Sequence, residues 1–207
     1  MFITLEGPDG SGKTKQIQPL ANFLTAKGYR VFTAREPGGT AIGDQVRDIL
    51  MNLNNTSMRP RTEALLFCAA RAQLVEEIIR PHLEKGEAVV LDRYADSTMA
   101  YQGYGHQNDL SLISNLLNFA TGGLKPDLTL LLDVDPEIGL KRRQDGGGEW
   151  NRLDAYQLQY HRRVRQGYLQ MAAAEPARWR VINASQPPDM VESEIQKVLL
   201  LFLSKIS

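Results

Sequence analysis

The chain holds a single cysteine, Cys68, so no disulfide can close within it and a reducing compartment is expected. Cys68 itself reads as a small apolar helix residue. Neither sign of charge is in excess: 24 Lys and Arg stand against 24 Asp and Glu, a formal net charge of zero. That balance argues against broad nucleic-acid binding, which needs a basic face. Long hydrophobic runs are also missing. The longest near the C-terminus, Val198 to Leu203, falls far short of the ~20 residues that cross a bilayer. An apolar run, Phe2-Ile3-Thr4-Leu5, starts at once and leaves no room for a signal peptide. A cytoplasmic protein with no membrane partner is therefore expected. Histidine is scarce, and His82, His106 and His161 fall outside the motifs below; each is expected at the surface. What remains suits one domain, 207 residues long, 43% hydrophobic and 23% charged. No repeat, low-complexity tract or linker divides it.

Gly7, Pro8, Asp9, Gly10, Ser11, Gly12, Lys13 and Thr14 form the run G-x-x-x-x-G-K-[ST]. An apolar strand precedes it, and Ile17, Leu20, Phe23 and Leu24 follow at helical spacing. Strand, glycine-rich turn and helix are the context a phosphate-binding loop requires. Its glycines let successive N–H groups point at phosphate oxygens, and the helix N-terminus adds about half a positive charge there. Lys13 is expected at the β- and γ-phosphates of a nucleoside triphosphate, and the Thr14 hydroxyl on Mg²⁺. Pro19, inside this helix, is expected to kink it.

Five short apolar runs, Phe2–Leu5, Arg30–Thr33, Ala88–Leu91, Leu128–Leu132 and Arg180–Ile182, each precede a helical pattern. This alternation predicts an α/β protein of the P-loop NTPase fold: a five-stranded parallel sheet flanked by helices, with a short lid. Ligands then bind beyond the C-terminal strand ends. One such end carries Arg35-Glu36-Pro37-Gly38-Gly39-Thr40, with Arg47 on the next helix. Another carries Asp92-Arg93-Tyr94, where the acid suits the Mg²⁺ shell and the guanidinium suits a phosphate; a structural Asp–Arg pair fits the same residues. A long helix is expected from Thr62 to Glu84, closing near Pro81, with Leu66, Ala70, Leu74 and Ile78 facing the core. Glu63, Phe67 and Arg71 form the adjoining stripe. A ring one turn from a guanidinium suits a nucleobase, and suits equally a core ring beside a surface arginine.

The stretch Val90 to Gln102, V-L-D-R-Y-A-D-S-T-M-A-Y-Q, closely resembles the thymidylate kinase signature. The resemblance extends through residues 7–14, 35–40, 65–71 and 132–143, in the family's order. It implies a single nucleoside monophosphate kinase domain over 1–207, transferring the γ-phosphoryl group of ATP to dTMP with Mg²⁺ held by Thr14 and Asp92. Asp9 resembles the carboxylate at the 3′-hydroxyl of dTMP, Phe67 the ring stacked on thymine, and Arg71 the donor to its O4. Arg47 and Arg93 match the guanidiniums on the acceptor phosphate, beside a wall of Glu36 and Pro37. Tyr101 matches the residue that leaves no room for a 2′-hydroxyl, and Ser97, Thr98 and Gln102 line the same pocket. Ala184, within Asn183-Ala184-Ser185, is similar to the loop passing the adenine.

Residues 141–154 resemble the lid, with Gly146-Gly147-Gly148 allowing movement and Arg142, Arg143 and Arg152 bringing charge over the ATP. Some family members place an arginine in the P-loop where this chain has Gly10, so the resemblance is to the bacterial type with a basic lid. Arg152 is then expected on the transferring group and Arg143 against adenine. The resemblance also implies a homodimer formed through helices that include the one carrying Phe67. A kinase for another acceptor, such as dUMP, dCMP or shikimate, and a nucleotide-binding switch are the rival readings.

Overall fold

The computed structural model describes residues 1–146 and 150–206. Five parallel strands form one sheet in the order β2-β3-β1-β4-β5. They are β1 (Phe2–Glu6), β2 (Val31–Arg35), β3 (Ala88–Asp92), β4 (Leu128–Asp133) and β5 (Trp179–Asn183). The three inner strands are buried on both faces, which is why they read as unbroken apolar runs; the edges β2 and β5 are partly exposed. Each strand runs past its expected end by one residue or, for β2, two. Glu6, Arg35, Asp92, Asp133 and Asn183 thus belong to the ladder, with Leu5 opposite Asp92 and Arg35 opposite the same residue. The polar tips keep the backbone pairing and place their side chains at the edge where the crossovers begin.

Alternate side chains of the strands feed two cores. Ile3, Leu5, Val90 and Leu130 pack against Leu20 and Leu24 of α1 (Lys13–Ala26) and Ile195 and Leu199 of α9 (Pro188–Ile206). On the opposite face Phe2, Val89 and Leu91 meet Leu74 of α3 (Pro60–Leu74), while Leu131 meets Val164 and Tyr168 of α8 (Leu158–Ala174). Between these lie α2 (Ala41–Met51), α4 (Arg80–Glu84), α5 (Ala95–Thr98), α6 (Leu110–Thr121) and α7 (Pro136–Asp145). Cys68 is buried in a small cluster between α3 and α6.

Two helical expectations need correction. The long helix does not close near Pro81. A wide π turn, Val75–Ile79, follows α3 and hands over to α4, in whose first turn Pro81 sits. There the ring's clash with a regular preceding turn is relieved, so the proline passes. Pro19, by contrast, lies within α1 without interrupting it. On α3 the stripe Glu63, Phe67 and Arg71 is buried along with Ala70 and Leu74, whereas Leu66 and Ile78 are only half-buried. No described helix is long and apolar enough to cross a membrane.

Candidate active site

A cavity of about 880 Å³ opens along the C-terminal strand edge. One end is walled by Gly10 to Gln16 and by Ala184 to Pro188, the other by Arg47, Phe67, Arg71 and Tyr101. The loop before α1 has the required backbone. Gly10 sits at φ 74°, and an added Cβ would stand 1.9 Å from the Gly139 carbonyl oxygen, so α7 packs directly on the loop and admits no side chain there. Gly7 and Pro8 lie behind the wall, and their carbonyls accept from Lys13 Nζ at 3.0 and 2.9 Å. Ser11 Oγ accepts from the same ammonium at 3.2 Å. Thr14 Oγ1 donates to Asp92 Oδ2 at 2.6 Å, bringing a hydroxyl and a carboxylate together at the mouth of the loop.

Arg93 does not pair with Asp92. Its backbone takes the left-handed φ of 73°, which turns the side chain across the sheet end. Nη2 donates to Asp9 Oδ1 at 2.6 Å and to Tyr101 OH at 3.2 Å, and Nη1 to Gly7 O at 3.1 Å and Ser97 Oγ at 3.0 Å. Tyr101 donates its own proton to Asp9 Oδ2 at 2.6 Å. Burial alone would raise the Asp9 carboxyl; Arg93, Lys13 and Tyr101 bring it down to about 2. Asp9 is therefore an anion at the cavity wall. Arg47 donates to Pro37 O at 2.8 Å, and burial together with the neighbouring Arg35 lowers its pKa. Arg71 is fully buried, paired with Glu36 at 2.5 Å and donating to Thr98 Oγ1 at 2.9 Å. Gln102 lines the cavity and donates to Glu63 Oε1 at 2.8 Å.

The lid arginines divide. Arg142 donates to Ala184 O at 2.8 Å and Ser185 O at 3.2 Å, and Arg143 lines the cavity while donating to Asp154 Oδ2 at 2.6 Å. Arg152, expected over the transferring group, is turned away instead. It pairs with the buried Glu63 at 2.6 Å and donates Nε to Leu50 O at 3.0 Å, outside the cavity lining. A buried carboxylate, with one main-chain carbonyl and the Tyr156 hydroxyl beside it, holds the guanidinium better than open solvent above the loop does. Gly146 follows the end of α7, and Gly147 and Gly148 lie outside the described residues.

The histidines are not all at the surface. His161 is 2% exposed, and burial lowers its pKa against the pull of Asp9 and Asp154. His106 contacts Glu63 at 2.9 Å, and His82 stacks on Phe32. Arg35, placed by the sequence at a ligand-facing strand end, lines the cavity, and sequence reasoning missed Asn151, Leu153 and Val191. Those three had no signal in the sequence.

Beneath Arg93 lies Glu6, wholly buried, accepting from Tyr94 N at 2.8 Å, Ser97 Oγ at 2.6 Å and Tyr168 OH at 3.0 Å. Burial, and then Asp96, push its carboxyl from 4.5 up to about 7, against Ser97 and Arg93. A carboxyl raised on folding holds its proton longer in the native state. Its contribution to stability is complete below pH 4.5 and is lost as pH rises through about 7. Thermal melts at pH 5 and pH 7.5 should show the wild type losing stability relative to Glu6→Gln over that interval. Parallel pH dependence in the two proteins would contradict it.

The thymidylate kinase family model matches residues 5–195. A thymidylate kinase of Roseiflexus castenholzii is 49% identical over 218 aligned positions, covering 100% of this chain and 95% of that protein. One from Deinococcus radiodurans is 49% identical over 195, covering 94% of each. The crystal structure of thymidylate kinase from Ehrlichia chaffeensis superposes with a TM-score of 0.78 at 36% identity, over 96% of this chain and 98% of that one. Matched in this way from its first strand into its last helix, the chain belongs to the thymidylate kinase family.

Proposed function

We propose that the protein transfers the γ-phosphoryl group of ATP to dTMP, giving dTDP and ADP. The observation that carries this reading is one cavity with two anion-binding ends, the Gly10–Thr14 loop at one and Arg47 with Arg93 at the other. ATP lies with its phosphates over the loop and its base by Ala184 and Arg142. The acceptor phosphate meets Arg47 and Arg93, thymine stacks on Phe67 with Arg71 toward its O4, and Tyr101 closes off the 2′ position. Glu36 and Pro37 form the wall, with Ser97, Thr98 and Gln102 beside it.

Thr14 Oγ1 and the Asp92 carboxylate, 2.6 Å apart, are hard oxygen donors of the kind Mg²⁺ prefers. Mg²⁺ arriving with ATP would be held there and would supply charge neutralisation on the phosphates. The acceptor phosphate is already an anion, so no base is required to create a nucleophile; the task is positioning and charge neutralisation. Lys13 exchanges its loop carbonyls for phosphate oxygens, Arg93 and Arg47 aim the acceptor, and Arg143, which lines the cavity, faces the transferring group.

Exposed Leu65 on α3 and Leu112 and Phe119 on α6 support a homodimer through that face, which sedimentation of the purified protein checks. A lone cysteine supports a reducing, cytoplasmic location. Steady-state kinetics with Mg²⁺-ATP tests the acceptor. The kcat/KM for dTMP should exceed that for dUMP by about 10–200-fold, the range one methyl contributes, and exceed dCMP by more. ATP binding without dTMP-stimulated ADP release would favour the switch reading instead.

A further inference from the structure

We propose that Glu63 is a positioning residue for the acceptor pocket: its carboxylate latches residues 151–156 against α2 and α3 and so completes the wall beside Phe67. The inference rests on the reading of that end as the acceptor site. Glu63 is wholly inaccessible, and its two oxygens serve four donors from two distant parts of the chain. Oε1 takes Gln102 Nε2 at 2.8 Å and lies 2.9 Å from His106 Nε2. Oε2 forms an ion pair with Arg152 Nη2 at 2.6 Å and accepts from Tyr156 OH at 3.1 Å. The first pair lies on and just after the wide helical turn Met99–Gly105 that follows α5, and this turn places Tyr101 and Gln102 in the cavity wall. The second belongs to the segment that places Asn151 and Leu153 there.

Leu153 is the consequence of this latch. It packs in one apolar cluster with Leu50 and Phe67, next to the ring that takes the base. Arg152 ties its neighbourhood down on that side, through Nε to Leu50 O at 3.0 Å, Nη1 to Tyr156 OH at 2.8 Å and the ion pair to Glu63. Two residues on, Asp154 receives Arg143. Without the carboxylate, Arg152 would be a buried cation facing one carbonyl and one hydroxyl, and the segment would lift toward water. Leu153 would then leave Phe67, and the acceptor pocket would open while the ATP end kept its walls.

The test compares wild type with Glu63→Gln, Arg152→Gln and the double variant. A glutamine at 63 keeps the size but turns an amide N–H₂ toward the guanidinium. In Glu63→Gln the KM for dTMP should rise about tenfold or more while the KM for ATP stays within about twofold. The double variant should show a smaller rise than the product of the two single effects, because removing both partners leaves no unpaired buried charge; a purely multiplicative effect overturns the coupling. A second readout needs no turnover. Trp150 adjoins the segment and is half-buried, whereas the only other tryptophan, Trp179, is 3% exposed. Acrylamide quenching of the nucleotide-free protein should therefore increase in Glu63→Gln. Tyr156→Phe, which removes one hydroxyl only, should shift both readouts in the same direction by less, and it serves if Glu63→Gln does not fold. A wild-type KM for dTMP, or unchanged quenching, in the folded variant overturns the latch. Absence of dTMP-dependent turnover in the wild type would overturn the kinase reading instead, and quenching would still decide the latch.

Discussion

Lys13→Ala is expected to lower kcat by about 10²–10³-fold or more, the cost of removing one preorganised donor from a developing charge. The ammonium is 6% exposed and its neighbours are the loop's own oxygens, Gly7 O, Pro8 O and Ser11 Oγ. Those contacts hold it at the loop until phosphate oxygens replace them, so little reorganisation accompanies the reaction. Lys13→Arg should not restore the rate. A rigid planar fork does not fit a cage whose three oxygens lie 2.9 to 3.2 Å from a point charge. Circular dichroism and a thermal melt confirm that the variants fold, and a coupled ADP-release assay measures turnover. Near-normal turnover in Lys13→Ala would remove Lys13 from the mechanism.

Arg93→Ala is expected to lower kcat/KM for dTMP by about 10³-fold or more, with a small change in the KM for ATP. The loss has two parts: the guanidinium that meets the acceptor phosphate, and the pairing that keeps Asp9 in place through the 2.6 Å contact. Breaking one side of a mostly buried pair costs about 3–5 kcal/mol where the other charge cannot escape. Asp9 would retain Tyr101 and the more distant Lys13, and its carboxyl would rise from about 2. Arg93 also holds a left-handed φ of 73°, a conformation that costs a side-chain-bearing residue about 1–2 kcal/mol. Arg93→Gly should therefore be as inactive as Arg93→Ala and yet melt at a higher temperature. If the two melt together, the strain assigned to this backbone is absent. If either retains wild-type kcat/KM, Arg93 does not hold the acceptor.

Much of this was legible in sequence because it is local. The glycine-rich loop needs only its own eight residues and a strand and helix beside it. The inner strands announce themselves as apolar runs, since both faces are covered. Edge strands carry half that signal, so β2 is displaced at both ends and Arg35 belongs to the strand rather than to the turn after it. Pro81 misled because a proline ordinarily ends a helix, and the π turn before it has no sequence mark. Arg152 shows the harder limit. Its partner Glu63 lies 89 positions earlier (152 minus 63), and only the folded chain reveals that a buried carboxylate sits there. His161 was read as a surface residue because its burial against α8's neighbours is a tertiary fact with no periodicity to betray it.

The most direct test supplies γ-labelled ATP and Mg²⁺ with an equimolar mixture of dTMP, dUMP and dCMP, and separates the products by chromatography. If one cavity grips a triphosphate at the Lys13 end and a deoxythymidine monophosphate at the Arg93 end, the label appears in dTDP. Label found only in inorganic phosphate, or chiefly in dUDP or dCDP, would contradict that assignment.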